Sequence, residues 1–211
     1  MSELYYIAIE GVIGAGKTSL AKLLASALNG VTVLEKPEEN PFLGGFYRDR
    51  ARYAFQTQIF FLLSRFKQQE EFPQPGLFHE RVISDYIFAK DRIFAWLNLT
   101  EAELQLYEKL VLLLEPRVPL PDLVVYLQSS PQRLMKNIRI RGRDYEREIS
   151  EEYIAELNEM YNQFFLNYNA TPLLVVNADN LDFRNREGHL LDLINAIEQP
   201  FQGTRFYNPI V

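Results

Sequence analysis

The chain contains no cysteine, which excludes disulfides, thiolate metal sites and cysteine nucleophiles. Histidine is nearly as scarce. His79 and His189 are the two present, no motif places either, and surface positions are expected for both. No run approaches the roughly 18 apolar residues that a membrane-crossing helix needs. A secretory leader is not visible either, because the N-terminal residues pass straight into a glycine loop at Gly11. Positive charge is in deficit: 22 Lys and Arg against 28 Asp and Glu leave a net charge of −6, which argues against a nucleic-acid partner. Repeats, linkers and low-complexity segments are missing too. The 211 residues, 47% of them hydrophobic, suit one domain (1–211) with a sizeable core, and a cytoplasmic location is the simplest reading.

Residues 11–18 read Gly11-Val12-Ile13-Gly14-Ala15-Gly16-Lys17-Thr18, matching G-x-x-x-x-G-K-[ST] at every fixed position. Leu4–Ile9 before it is an apolar run suited to a buried strand. Ser19–Leu28 after it carries apolar residues at helical spacing and stops near Asn29-Gly30. Strand, loop and helix together are the context that phosphate binding requires. Glycines let successive backbone N–H groups turn onto phosphate oxygens, and the helix N-terminus adds partial positive charge. Gly11, Gly14, Ala15, Gly16 and Ser19 are thus expected to cradle a nucleoside triphosphate, with Lys17 bridging its β- and γ-phosphates and Thr18 ligating Mg²⁺.

Further strands are expected at Val31–Leu34, Val82–Ser84, Leu123–Leu127 and Leu173–Val176. Helices are expected over 53–67, ended by Pro73, Pro75 and Gly76, then around 86–97, 100–115, from Ser130-Pro131 onward, from Ser150 to about Tyr168, and near 186–198. Thr100 with Glu103 forms a capping box. Alternating strands and helices imply an α/β fold, a parallel sheet of about five strands flanked by helices. Ligands collect at the carboxyl ends of such strands, where Gly11–Thr18, Glu35 and Asp85 fall.

GTPases, motors and small-molecule kinases share the phosphate loop. Asn-Lys-x-Asp and Asp-x-x-Gly, which GTPases use, do not occur, and an arginine-rich segment at 139–147 favours a kinase with a lid. Four more motifs follow in order: Glu35–Leu43, Phe55-Gln56, Asp85-Tyr86 with Asp91, and Arg141-Gly142-Arg143-Asp144-Tyr145-Glu146. With the loop, they make the chain resemble the deoxynucleoside kinases, bacterial deoxyguanosine and deoxyadenosine kinases above all, from residue 4 to beyond 180.

The resemblance implies a P-loop kinase fold, ATP and a deoxynucleoside as substrates, Mg²⁺ as cofactor and a homodimer. It makes Glu35 the general base for a 5′-hydroxyl, although Glu38 and Glu39 beside it leave a solvated loop acid as the alternative. Gln56 would pair two-pronged with the base, unless backbone satisfies its amide. Asp91, six residues past Asp85, would accept from an exocyclic amino group, or else pair with Arg92 at the surface. Asp85 would hold Mg²⁺ with Thr18, or merely cap a helix. The family writes acid, Arg, Ser where this chain has Asp85-Tyr86-Ile87, and Lys90 is expected to supply part of the missing charge. Arg139, Arg141 and Arg143 would form a lid over about 139–149, a solvated charge run being the alternative. Glu146 and Tyr47 would grip the sugar. Competing readings are a thymidylate-type nucleoside monophosphate kinase, a deoxycytidine-preferring kinase, and a nucleotide-binding module without catalysis.

Overall fold

Tyr6–Glu10 (β1) is buried along its whole length, and Leu123–Gln128 (β4) as far as Leu127. Strands covered on both faces belong at the centre of a parallel sheet, and these two do. The computed structural model describes residues 4–72, 81–182 and 186–209. Gly30–Val33 (β2), Arg81–Ser84 (β3), Leu173–Asn177 (β5) and Thr204–Tyr207 (β6) complete a sheet of order β2-β3-β1-β4-β5-β6. Every pairing is parallel, and Ile7 sits opposite Ile83 on one side and Leu123 on the other. Parallel pairing puts the ends of β1, β2 and β3 on one rim, so the segments after Glu10, Val33 and Ser84 converge.

Lys17–Ala27 (α1) follows β1 and turns Leu20, Ala21, Leu24 and Ala25 onto the sheet. Each such fully buried leucine contributes about 1.5–3 kcal/mol. Leu43–Arg48 (α2) and Arg50–Glu70 (α3) come next, then Asp91–Asn98 (α4) and Glu101–Leu114 (α5), with the Thr100–Glu103 capping box in place. Pro131–Arg141 (α6), capped by Ser130, Glu151–Leu166 (α7), capped by Ser150, and Glu187–Glu198 (α8) complete the set. Among the described residues, no helix is long and apolar enough to cross a membrane.

The structure departs from the sequence expectations in several places. The sheet has six strands rather than about five. β6 is an edge strand whose exposure alternates, with Phe206 71% exposed, so it has no apolar run to announce it. Asn29, at φ 48°, takes the left-handed turn after α1, while Gly30 begins β2. α6 runs on to Arg141 before Gly142 ends it at φ 64°, so Arg139 and Arg141 stand on a helix and the loop begins only at Gly142. His189 is buried, 7% exposed, and its Nδ1 accepts from the backbone N–H of Asp182 at 3.1 Å. Pro73, Pro75, Gly76 and His79 lie outside the described residues.

Candidate active site

The loop from Gly11 to Thr18 joins central β1 to α1 and wraps one end of a cavity of about 660 Å³ lined by Gly14, Ala15, Gly16, Lys17, Thr18 and Ser19. Gly14 sits at φ 89°, and a Cβ there would meet the carbonyl oxygen of Leu134 at 2.7 Å, so no other residue fits. Gly11 does not line the cavity; it links β1 to the loop, and its N–H donates to Glu10 at 2.9 Å. Lys17 Nζ donates to the carbonyls of Gly11 at 2.7 Å and Val12 at 3.1 Å. Burial first, and the nearby Lys90 second, pull the Lys17 ammonium down to about 8.

A second cavity, about 460 Å³, opens beyond the rim of β2 and β3. Lys17, Thr18, Arg141 and Arg143 line both cavities. Thr18 Oγ1 donates to Asp85 Oδ2 at 2.5 Å, and Asp85 Oδ1 accepts the N–H of Glu35 at 2.8 Å. Two hard oxygens beside the phosphate loop suit Mg²⁺, which commonly takes one or two protein oxygens and leaves the rest to water and phosphate.

Glu35 faces the second cavity between two cations. Arg65 reaches its Oε1 through Nε at 2.7 Å and Nη2 at 2.5 Å, and Lys90 Nζ donates to its Oε2 at 3.1 Å. Burial opposes ionisation of this carboxyl, but Arg65 and then Lys90 outweigh it and hold the group at about 2. Lys90 is 2% exposed and also lies 3.9 Å from Glu10, a fully buried acid at the end of β1. Burial pushes the Glu10 carboxyl up, against Lys90 and Lys17, while the N–H of Ile87 donates to it at 2.9 Å. Lys90 thus stands beside Glu35 where the Tyr86 side chain brings no charge.

Arg65 also pairs with Asp91 Oδ1, and Tyr107 donates its hydroxyl to Asp91 Oδ2 at 3.0 Å. Asp91 is 1% exposed and lines the cavity, so it is no surface partner of Arg92, which pairs instead with Glu115 and Glu108. Gln56 does not join this group. It lies on the exposed side of α3, and Gln58 takes the cavity position, its Nε2 donating to the Asp91 carbonyl at 2.8 Å. Residues two apart on a helix point away from each other, so only one of these glutamines can face inward. The inward set on α3 includes Ala54, Gln58, Leu62, Arg65 and Gln69, spaced by three or four.

Glu146 gathers two arginines of the segment expected to form a lid. Arg141 grips it with both Nε (3.1 Å) and Nη2 (2.6 Å), and Arg143 lies 3.8 Å away while donating to the Tyr145 hydroxyl at 2.7 Å. Arg139 lines neither cavity. It faces outward on α6, its side chain 67% exposed, and pairs with Glu151 at 2.6 Å. Tyr47 does line the cavity, packed by ring edges against Phe46 and Tyr153, and burial raises its hydroxyl well above the usual range. Phe94 lines the cavity too, whereas Trp96 is 46% exposed.

Arg65, Gln58 and Glu10 escape the sequence reading. Signals for them exist: Arg65 is a lone charge inside the apolar stretch Ile59–Phe66, two helical turns beyond Gln58, and Glu10 is an acid at the end of an apolar strand.

Comparison with known proteins bears on this arrangement. The model of a family described as deoxynucleoside kinase matches residues 7–201. The deoxyadenosine kinase of Dictyostelium discoideum is 34% identical over 209 residues, covering 97% of this chain and 82% of that protein. The deoxyguanosine kinase of Bacillus subtilis is 36% identical over 191 residues, covering 87% and 91%. Among solved structures, deoxyadenosine kinase from M. mycoides with bound dATP superposes with a TM-score of 0.78 at 28% identity, covering 92% of this chain and all of that one.

Proposed function

Because the chain belongs to the deoxynucleoside kinase family, we propose that it transfers the γ-phosphate of ATP to the 5′-hydroxyl of a purine deoxynucleoside. One observation carries this reading: the phosphate-loop cavity and the second cavity meet at Lys17, Thr18, Arg141 and Arg143, with Glu35 on the acceptor side of that boundary. ATP occupies the first cavity and the deoxynucleoside the second. Glu35 accepts the proton of the attacking hydroxyl. Lys17, Arg141 and Arg143 balance charge on the transferring group, and the lid loop excludes water. Thr18 and Asp85 hold Mg²⁺, which when bound adds positive charge at the phosphates. Gln58 and the Arg65–Asp91 pair read the base, and Tyr47 and Glu146 position the sugar. The relatives' names, deoxyadenosine kinase and deoxyguanosine kinase, support the purine assignment.

Residues 1–211 act as one domain in this reading, and the protein works as a cytoplasmic homodimer, consistent with leucines such as Leu112 and Leu113 on α5, 66% and 70% exposed.

The test is a screen with labelled ATP, offering the four deoxynucleosides and their 5′-monophosphates as acceptors. Deoxyadenosine or deoxyguanosine should give the labelled 5′-monophosphate. Labelling of the monophosphates alone would instead assign the competing nucleoside monophosphate kinase activity.

Lys90 gives a second test. It supplies the cation that Tyr86 cannot, so Lys90→Ala should cut turnover by about tenfold or more, since it loses a charge-assisted hydrogen bond worth about 1.5–3 kcal/mol. Lys90→Arg should recover much of it. Wild-type turnover in the alanine variant would show that the charge at Lys90 is not used.

A further inference from the structure

Arg141 closes α6, and Gly142 turns the chain back, so that Glu146 in the short turn Asp144–Glu146 meets the Arg141 side chain. The contact has a defined orientation. Nε and Nη2 form one edge of the guanidinium, and that edge is taken up by Glu146, at 3.1 Å to Oε2 and 2.6 Å to Oε1. A guanidinium holds five N–H donors in a rigid plane. Its second edge, Nη1 with the remaining N–H of Nη2, is a fork that fits two oxygens of a phosphate. Nη1 of Arg141 has no hydrogen-bond partner among the described residues.

The two partners are held differently. Glu146 is buried, its N–H donates to the Arg143 carbonyl at 3.0 Å, and its own carbonyl accepts from the N–H of buried Ile149 at 3.1 Å. Arg141 has a long, partly exposed side chain whose hydrogen bonds, among the described residues, all go to Glu146. Glu146 is therefore the fixed end of the pair and the arginine is the oriented one. Their places differ as well. Arg141 lines both cavities, whereas Glu146 lines the acceptor cavity and not the phosphate-loop cavity. Any influence of Glu146 on the triphosphate must pass through another side chain. Arg143 is a poorer carrier, because it lies 3.8 Å from Glu146 and donates to the Tyr145 hydroxyl instead.

We propose that Glu146 is a positioning residue for phosphoryl transfer: it holds Arg141 by one edge and so aims the other edge at the γ-phosphate. The inference rests on the deoxynucleoside kinase reading, in which Glu146 positions only the sugar, and deepens it. The two tasks are compatible. A carboxylate offers about four lone-pair sites, and Arg141 takes one on each oxygen, which leaves sites for a sugar hydroxyl. The transferring phosphate then meets a fork that is already oriented.

The experiment is a double-mutant cycle of Glu146→Gln and Arg141→Ala, with kcat and KM measured on deoxyadenosine or deoxyguanosine, whichever is faster, and on its 2′,3′-dideoxy analogue. Glutamine turns an N–H toward the arginine and breaks the grip. Glu146→Gln should lower kcat by about tenfold, since it returns rotamer freedom to an arginine that must be in place for transfer. The loss should persist on the dideoxy analogue, which has no 3′-hydroxyl for Glu146 to hold. In the Arg141→Ala background the same substitution should add almost nothing to the loss in kcat. Arg141→Lys keeps the charge without the fork, so its kcat should fall nearly as far as that of Arg141→Ala. A loss confined to KM or to the 3′-hydroxyl substrate would overturn the proposal and leave Glu146 a sugar ligand. Losses in kcat that multiply across the cycle would also overturn it, as would wild-type kcat in Arg141→Lys, a result that needs no change at Glu146. If the wild type refuses the dideoxy analogue, the cycle in kcat on the deoxynucleoside decides by the same criterion. Failure of the wild type to phosphorylate any deoxynucleoside is a different result, which would overturn the kinase reading itself.

Discussion

Glu35→Gln is expected to lower deoxynucleoside phosphorylation by about 10²–10⁴ while ATP binding survives. The substitution keeps the shape and one acceptor oxygen but removes the charge that takes the proton in the proposed scheme. The triphosphate cavity is untouched, because Glu35 lines only the acceptor side. The fold should tolerate the change, since Arg65 keeps Asp91 as partner and Lys90 keeps Glu10 nearby. Turnover with labelled ATP and calorimetric ATP binding separate the two effects. A carboxyl held at about 2 also makes a pH prediction. Because its pKa is depressed below the ordinary 4.5, Glu35 stabilises the fold above that value and loses the contribution as pH falls through about 2. Glu35 should therefore add no acid limb to the rate between pH 5 and 7. Wild-type turnover in Glu35→Gln would remove the general base from the scheme.

Lys17→Met is expected to reduce kcat by about 10²–10³, the size of effect seen when one preorganised donor to developing charge is removed. The Lys17 side chain is already aimed by the carbonyls of Gly11 and Val12, so little reorganisation precedes catalysis. Its depressed pKa adds a signature. With the ammonium at about 8 in the free protein, the lysine loses its proton as pH rises from 7 to 9, and KM for ATP should rise across that interval. Bound phosphate pulls the pKa back up, so kcat at saturating ATP should stay flatter than KM. Lys17→Met should abolish the pH dependence of KM. A variant that retained it would place the titrating group elsewhere.

Much of this architecture was legible in the sequence because its signals are local. The phosphate loop is fixed by glycines and a lysine at set spacing, the capping box at Thr100 by two residues three apart, and the buried strands by apolar runs. Glu35 and Asp85 could be placed because parallel strands end on one rim. The lateral position of side chains on α3 was not legible in the same way. Between Tyr53 and Lys67 apolar residues fall on every side of the helix, so the stretch hides which face turns inward, and the sequence reading names Gln56 without considering Gln58. Burial resolves the choice through the spacing of Ala54, Gln58, Leu62 and Arg65. Arg139 stands apart from the other two arginines for a related reason: an alternating run of arginines reads as a loop, but α6 continues through it and the helix turns that one residue outward. Edge strand β6 was missed because half of it faces solvent and the pattern thins below recognition.

A crystal structure with deoxyadenosine and a non-hydrolysable ATP analogue puts the scheme to its most direct trial. The 5′-oxygen should lie within about 2.6–3.2 Å of a Glu35 carboxylate oxygen, facing the γ-phosphate held by Lys17. A 5′-oxygen directed away from Glu35, or a deoxynucleoside found only in the phosphate-loop cavity, would contradict it.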